Sequence, residues 1–247
     1  KFPIATTDQL RRTFYSGRPG RHASELACWR VLHRLENQRL ITRLPRQVGG
    51  LTGGSTPNLW YLTSPGLRIT MKGGAQHGVQ RLTRIRRNEP PALSTLRHRL
   101  TLTETYVRLR ELRKAGSLDI LELETEPACW RRFPGIGGTT VTLQPDGYIR
   151  TAAHDSEYES LWFVEIDMGS ESLATIQRKT QVYEAYQRSG LEQIRNGVWP
   201  KTVWIAPNQK RGDRLNMLFG ANGLADRHAA VILDRFLTLT LEDAASG

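Results

Sequence analysis

The stretch WFVEIDMG, residues 162–169, opens as a buried strand and closes on acids. Trp162, Phe163, Val164 and Ile166 have the apolar composition of a strand inside a sheet, yet Glu165 and Asp167 interrupt the run. Alternate residues of a strand point to the same face, so the two carboxylates are expected side by side, about 7 Å apart. Ionised carboxylates that close repel each other and resist burial. The stretch therefore demands a cationic partner.

Working outward, the nearest preceding acid in a strand-like context is Asp146 in QPDGY, at the end of an expected strand TTVTLQPDGYIRTA, residues 139–152. If the two strands are neighbours, Asp146, Glu165 and Asp167 meet at one edge of the sheet. Such a cluster suits a hard cation, Mg2+ or Mn2+, and a bound cation of this kind activates water toward a phosphodiester. The alternative is a set of strand-end acids paired with Arg. Downstream, SLATIQRKTQVYEAYQRSG, residues 172–190, reads as a helix closed by Gly190. Leu173, Ile176, Lys179 and Tyr183 share one of its faces. A Lys on that face either meets an anion, here the acids or a scissile phosphate, or snorkels to solvent. Tyr183 is placed either as a nucleophile that joins DNA covalently or as a core residue.

The surrounding pattern is α/β (α+β). HRLTLTETYVRLRELRKAG, residues 98–116, reads as an amphipathic helix with Leu102, Leu109 and Leu112 along one stripe. SLDILELETE is an alternating strand, and WPKTVWIAPN, residues 199–208, is a strand of parallel-sheet character. A helix from about Lys210 and a last strand, AAVILDRF, complete a mixed sheet flanked by helices.

Charge separates this region from the one before it. Residues 1–97 carry 17 Lys/Arg against 4 Asp/Glu, a net +13, whereas residues 98–247 carry 18 against 20, a net −2. A basic segment next to a near-neutral one points to a polyanion partner, double-stranded DNA, with a well-solvated Arg-rich surface as the bland alternative. ATTDQLRRTFY is a short helix with a Thr6/Gln9 capping box. SGRPGRH is a turn, and SELACWRVLHRLENQRLI is a second helix with Ser24 as its expected N-cap. Residues 42–66 read as a β-hairpin with arms Thr42–Val48 and Leu59–Thr63 around the Gly-rich GGLTGG, which lacks the ending of a phosphate-binding loop. Helix, turn, helix, hairpin is the order of a winged helix-turn-helix. Its DNA-facing set is then Ser24, Arg30, His33 and Arg34 on the second helix, which also turns Glu25 and Cys28 outward, with Arg43 and Arg46 on the wing. The expected division is a DNA-binding domain over 1–75, a basic linker over 76–97 ending near Pro90 and Pro91, and a second domain over 98–247.

Cys28 and Cys129 are the only cysteines, too few for a disulfide framework or a Cys-rich zinc site, which suits a reducing cytoplasm. No run reaches the roughly 18 apolar residues of a membrane helix. The chain opens KFPIATTDQL with neither Met nor a signal-peptide core, so it reads as a fragment or as lacking its first residues.

PDGYI, then FVEIDMGSESLATIQRKTQVYEAYQRSG, then WPKTVWIAPN, resembles the replication-relaxation family of bacterial mobile elements. The preceding winged helix and the HRLTLTETYVRL helix keep the family's order. The resemblance implies a second domain of the restriction-endonuclease-like PD-(D/E)xK fold. It also implies a relaxase-like role in plasmid replication or conjugative mobilisation, alongside other mobilisation or replication proteins. Asp146 takes the place of the PD aspartate and Glu165 that of the following acid. The pattern departs at Asp167, which stands where the catalytic lysine belongs; Lys179 on the next helix is the substitute that the resemblance offers, and Glu104 a further metal ligand. The implied activity is that of a Mg2+- or Mn2+-dependent nickase or endonuclease. The alternative is a DNA-binding regulator or accessory factor on an inactive scaffold.

Overall fold

In the computed structural model, residues 4–44, 57–73, 93–154 and 156–245 are described, and the chain divides into two compact units, Lys1–Glu111 and Leu112–Gly247. The division falls within a helix, Leu93–Lys114, that starts five residues before the expected His98. Residues 76–92 of the expected linker lie outside the described residues.

The first unit runs β1 (Ile4–Thr6), α1 (Thr7–Tyr15), α2 (Arg21–Asn37), β2 (Ile41–Arg43), β3 (Leu59–Leu62), α3 (Ser64–Gly73) and most of α4 (Leu93–Lys114). The capping box forms as expected: Thr6 Oγ1 accepts from Gln9 N, and the Gln9 side chain accepts from Thr6 N. The second helix starts three residues earlier than expected, with Gly20 as N-cap, so Ser24 lies inside it. Strands β2 and β3 pair antiparallel, and β1, which the sequence did not suggest, pairs with β3 on its other side to give the order β1-β3-β2. Cys28, Leu32 and Trp60 form one small core, and Ile4, Leu44 and Leu96 another.

The second unit is built on a five-stranded sheet of order β10-β9-β8-β7-β4, from β4 (Asp119–Thr125), β7 (Gly147–Ala152), β8 (Glu159–Ile166), β9 (Lys201–Ile205) and β10 (His228–Val231). Strand β8 is central. It pairs antiparallel with β7 and parallel with β9, and every residue after Glu159 is buried. The single strand expected over 139–152 is two. Its first part, β6 (Thr140–Leu143), leaves the sheet and pairs with β5 (Arg131–Pro134) in a separate ribbon; β7 then begins after Asp146. Helix α5 (Leu173–Ser189) is capped by Ser172 and ended by Gly190 in the left-handed conformation. Short α6 (Leu191–Asn196) follows it, and α7 (Gln209–Ala221) connects β9 to β10. The last expected strand is shorter than AAVILDRF, because α8 (Leu233–Ala245) begins within it. Tyr148, Phe163, Ile176, Tyr183, Trp204, Leu215 and Phe219 fill the core between sheet and helices.

Candidate functional site

The β7–β8 register sets the site. Gly147 lies opposite Val164, so the preceding Asp146 comes level with Glu165 at the end of the pair. Backbone bonds fix this: Asp146 N donates to Val164 O (3.0 Å), and Ile166 N donates to Asp146 Oδ2 (2.7 Å). Asp146 and Glu165 are both buried, at 7% and 2% exposure.

Each oxygen of Glu165 has a different environment. Oε1 accepts from the Tyr183 hydroxyl on α5 at 2.7 Å. Oε2 is buried without a hydrogen-bond partner, and the Lys179 ammonium stands 3.6 Å away. Burial, with the charge of Asp146 behind it, pushes the Glu165 carboxyl up to about 8, against the pull of Lys179 and Tyr183. Burial works against the charge of Lys179, yet Glu165, Glu171 and Asp146 outweigh it and raise its pKa. Lys179 also lies 3.3 Å from Glu171 and 5.9 Å from the centre of the Trp204 ring. Its side chain is 40% exposed, at the margin of the apolar face formed by Ile176, Thr180 and Tyr183.

Asp167 does not join this group, which corrects the expected trio of metal ligands. Strand β8 ends at Ile166, and Asp167 N donates to Ile205 O of β9. Its carboxylate is clamped by Arg211 in the first turn of α7, with Nε to Oδ2 at 2.5 Å and Nη2 to Oδ1 at 3.2 Å. Oδ1 also accepts from Gly169 N, and Arg211 Nη2 donates to Glu171 O. Among the described residues no group of three or more His, Cys, Asp or Glu is arranged to hold a metal ion. What assembles is a pair, Asp146 and Glu165, with Lys179 beside it.

Two further expectations change. Tyr183 is 1% exposed and donates its hydroxyl to Glu165, and burial raises its pKa well above the usual phenol value, so it takes the core position of the two expected. Glu104 is engaged within the first unit by Arg12 (2.7 Å) and Gln9 (3.1 Å) and is not grouped with Asp146 and Glu165 among the described residues.

The sequence profile of the family described as replication-relaxation matches residues 1–202. The chain belongs to the replication-relaxation family. No curated protein and no solved structure matches the chain with statistical significance. The matched residues include Asp146, Glu165 and Lys179, whereas Arg211 lies beyond them.

In the first unit of this replication-relaxation protein, α2 presents Arg30 and Arg34 to solvent, with His33 half-buried. Neither arginine forms an ion pair among the described residues. The His33 ring packs on the exposed Trp29 ring, centroids 4.2 Å apart. Ser24 and Cys28 point inward. Ser24 is 2% exposed and donates to Arg21 O, so it leaves the DNA-facing set. The physical reason is helical spacing: Ser24, Cys28 and Leu32 are four residues apart and share the buried stripe, and with Gly20 as N-cap Ser24 falls inside the helix. Arg43 pairs with Glu36 at 2.8 Å and lies over the Trp60 ring. Arg46 is outside the described residues. Trp29, Glu171 and Arg211 went unassigned in the sequence. The only signal for Arg211 was the general need of Asp167 for a cation.

Proposed function

We propose that the protein is a DNA-binding protein of a plasmid or other mobile element and a Mg2+- or Mn2+-dependent nickase or endonuclease acting in replication or mobilisation. Membership of the replication-relaxation family supports the connection with replication. The observation that carries the enzymatic part is Glu165 Oε2, a buried carboxylate oxygen without a hydrogen-bond partner beside a second buried carboxylate. Such an oxygen is costly unless a proton or a cation meets it.

Asp146 and Glu165 fit a hard cation and would hold it, as oxygen donors do. A bound ion of this kind supplies a nucleophilic water near neutral pH and polarises the phosphodiester. Tyr183 keeps Oε1 occupied, so that Oε2 is the oxygen presented. Ile166 N holds Asp146 in place through Oδ2. Lys179, half-exposed at the margin of the site, places positive charge where the scissile phosphate becomes more negative. Arg30 and Arg34 on α2, read as the recognition helix of a winged helix-turn-helix, bring the duplex.

A second reading has its own support. Lys179 already lies between Glu165 and Glu171, and the E-x-K lysine position holds Asp167 clamped by Arg211. On this reading the second unit is an inactive scaffold and the protein an accessory DNA-binding factor. Incubation with supercoiled plasmid separates the two. Relaxed circles in Mg2+ or Mn2+, lost in Asp146→Ala and Glu165→Ala with DNA binding kept, support the nickase. Lys179→Ala keeps metal binding and loses cleavage on the same account. A Lys179→Met variant that still cuts removes Lys179 from the chemistry, and a wild type that never cuts leaves the scaffold reading.

A further inference from the structure

Ile136 is 98% exposed, the highest exposure of any large apolar side chain among the described residues. It stands at the tip of the β5–β6 ribbon, in the sequence PGIGGT, residues 134–139. A loose loop does not explain it, because the tip is built. Gly135 N donates to Thr139 O at 2.7 Å, and the Thr139 hydroxyl donates to Ile136 O at 2.9 Å. Gly137 and Gly138 hold φ of 68° and 76°, values open to glycine, and a Cβ on Gly135 would come within 2.6 Å of Val141. The base is anchored as firmly. Phe133 and Leu143 are buried in the core, and Arg131 pairs with Glu124 (3.1 Å) and Glu192 (3.2 Å).

The ribbon also leads straight into the candidate site. Leu143 at its base is three residues before Asp146, and the Cys129 thiol donates to Pro145 O. From the Arg131–Leu143 pair to the Pro134–Thr140 pair is three residues, roughly 10 Å of strand. Residues 127–145 contain two arginines, of which Arg132 is exposed, and no Asp or Glu. A rigid, acid-free finger with an apolar tip beside a site suited to phosphodiesters matches the apolar wedges that proteins insert between base steps.

We propose that Ile136 is such a wedge, driven by the β5–β6 ribbon between base pairs of duplex DNA to unstack the strand next to Asp146 and Glu165. The proposal rests on reading the second unit as a DNA-acting domain. It is tested with the full chain in EDTA, where cleavage plays no part. The probes are a short duplex carrying a fluorescent adenine analogue and the same duplex with an unpaired bubble at that base. Wild type is expected to bind both and to raise the fluorescence of the intact duplex. Ile136→Ser is expected to lose that rise and to bind the intact duplex about tenfold more weakly, with bubble binding unchanged, since the bubble is already unstacked. Ile136→Leu restores both. Equal fluorescence and affinity for Ile136→Ser and wild type overturn the wedge while leaving DNA binding standing. A wild type that binds neither probe overturns the DNA reading and the wedge together. A rise in wild type that Ile136→Ser lacks sustains the wedge even where a separate assay with Mg2+ shows no nicking.

Discussion

Glu165 and Asp167 are two residues apart, both buried and both acidic, yet their surroundings differ. The clamp at the β8–α7 junction satisfies Asp167 completely: two bonds from Arg211 and one from Gly169 N. The pocket between β7, β8 and α5 leaves Glu165 with one hydrogen bond, a like charge behind it and a lysine at ion-pair distance only. A saturated buried charge is structural, fixing how the loop after β8 leaves the sheet. An unsaturated one is costly until a proton or a cation meets it, and residues with raised pKa values in such places are candidates for functional sites. The same contrast recurs in the first unit. Arg12 is gripped by Glu104 and Glu111, whereas Arg30 and Arg34 face solvent and form no ion pair among the described residues.

The contrast breaks most visibly at Arg211. Arg211→Ala strands a fully buried Asp167 carboxylate and is expected to cost about 3–5 kcal/mol, read from the urea midpoint. A variant that unfolds at the wild-type midpoint would mean the clamp is ornamental. Next in size is the first unit. Arg30→Ala and Arg34→Ala are expected to weaken binding to the protein's own site by about 1–3 kcal/mol each, if both reach base edges. The corresponding loss for an Arg12 variant should appear in stability instead. A double variant that binds normally in a gel-shift titration would move recognition off α2.

The third effect concerns pH. The folded-state pKa of Glu165 is raised, to about 8. Its contribution to stability is therefore fully present below the unfolded carboxylate pKa, near 4.3, and is lost as pH rises through about 8. Glu165→Gln mimics the protonated acid. It should match wild type near pH 4 in the absence of metal and exceed it at pH 9, by on the order of several kcal/mol. Parallel stability curves for the two proteins would show that the carboxyl is not destabilised by its burial.

Much of this was legible from the sequence where a local rule governed. The Thr6–Gln9 capping box, Ser172 and Gly190 around α5, and the parallel strand expected within WPKTVWIAPN all formed as read. The pairing of Asp146 with Glu165 was legible because the PD turn and the acidic strand are consecutive in the sheet. What failed was set at a distance. Strand β1 is three residues long and exists only through β3. Ser24 looked like a cap because a Gly cap carries no side-chain signal. The period-two rule put Asp167 beside Glu165, but β8 ends at Ile166, and the Arg that claims Asp167 is 44 positions further on.

The central proposal is that Glu165 holds a divalent cation and Asp167 does not. Titration of Mn2+ into the full chain at pH 7.5, followed by calorimetry, tests it directly. The account predicts one bound ion for wild type, none for Glu165→Gln or Asp146→Asn, and an unchanged ion for Asp167→Asn. A wild type that binds no ion, or an Asp167→Asn variant that loses it as Glu165→Gln does, would contradict it.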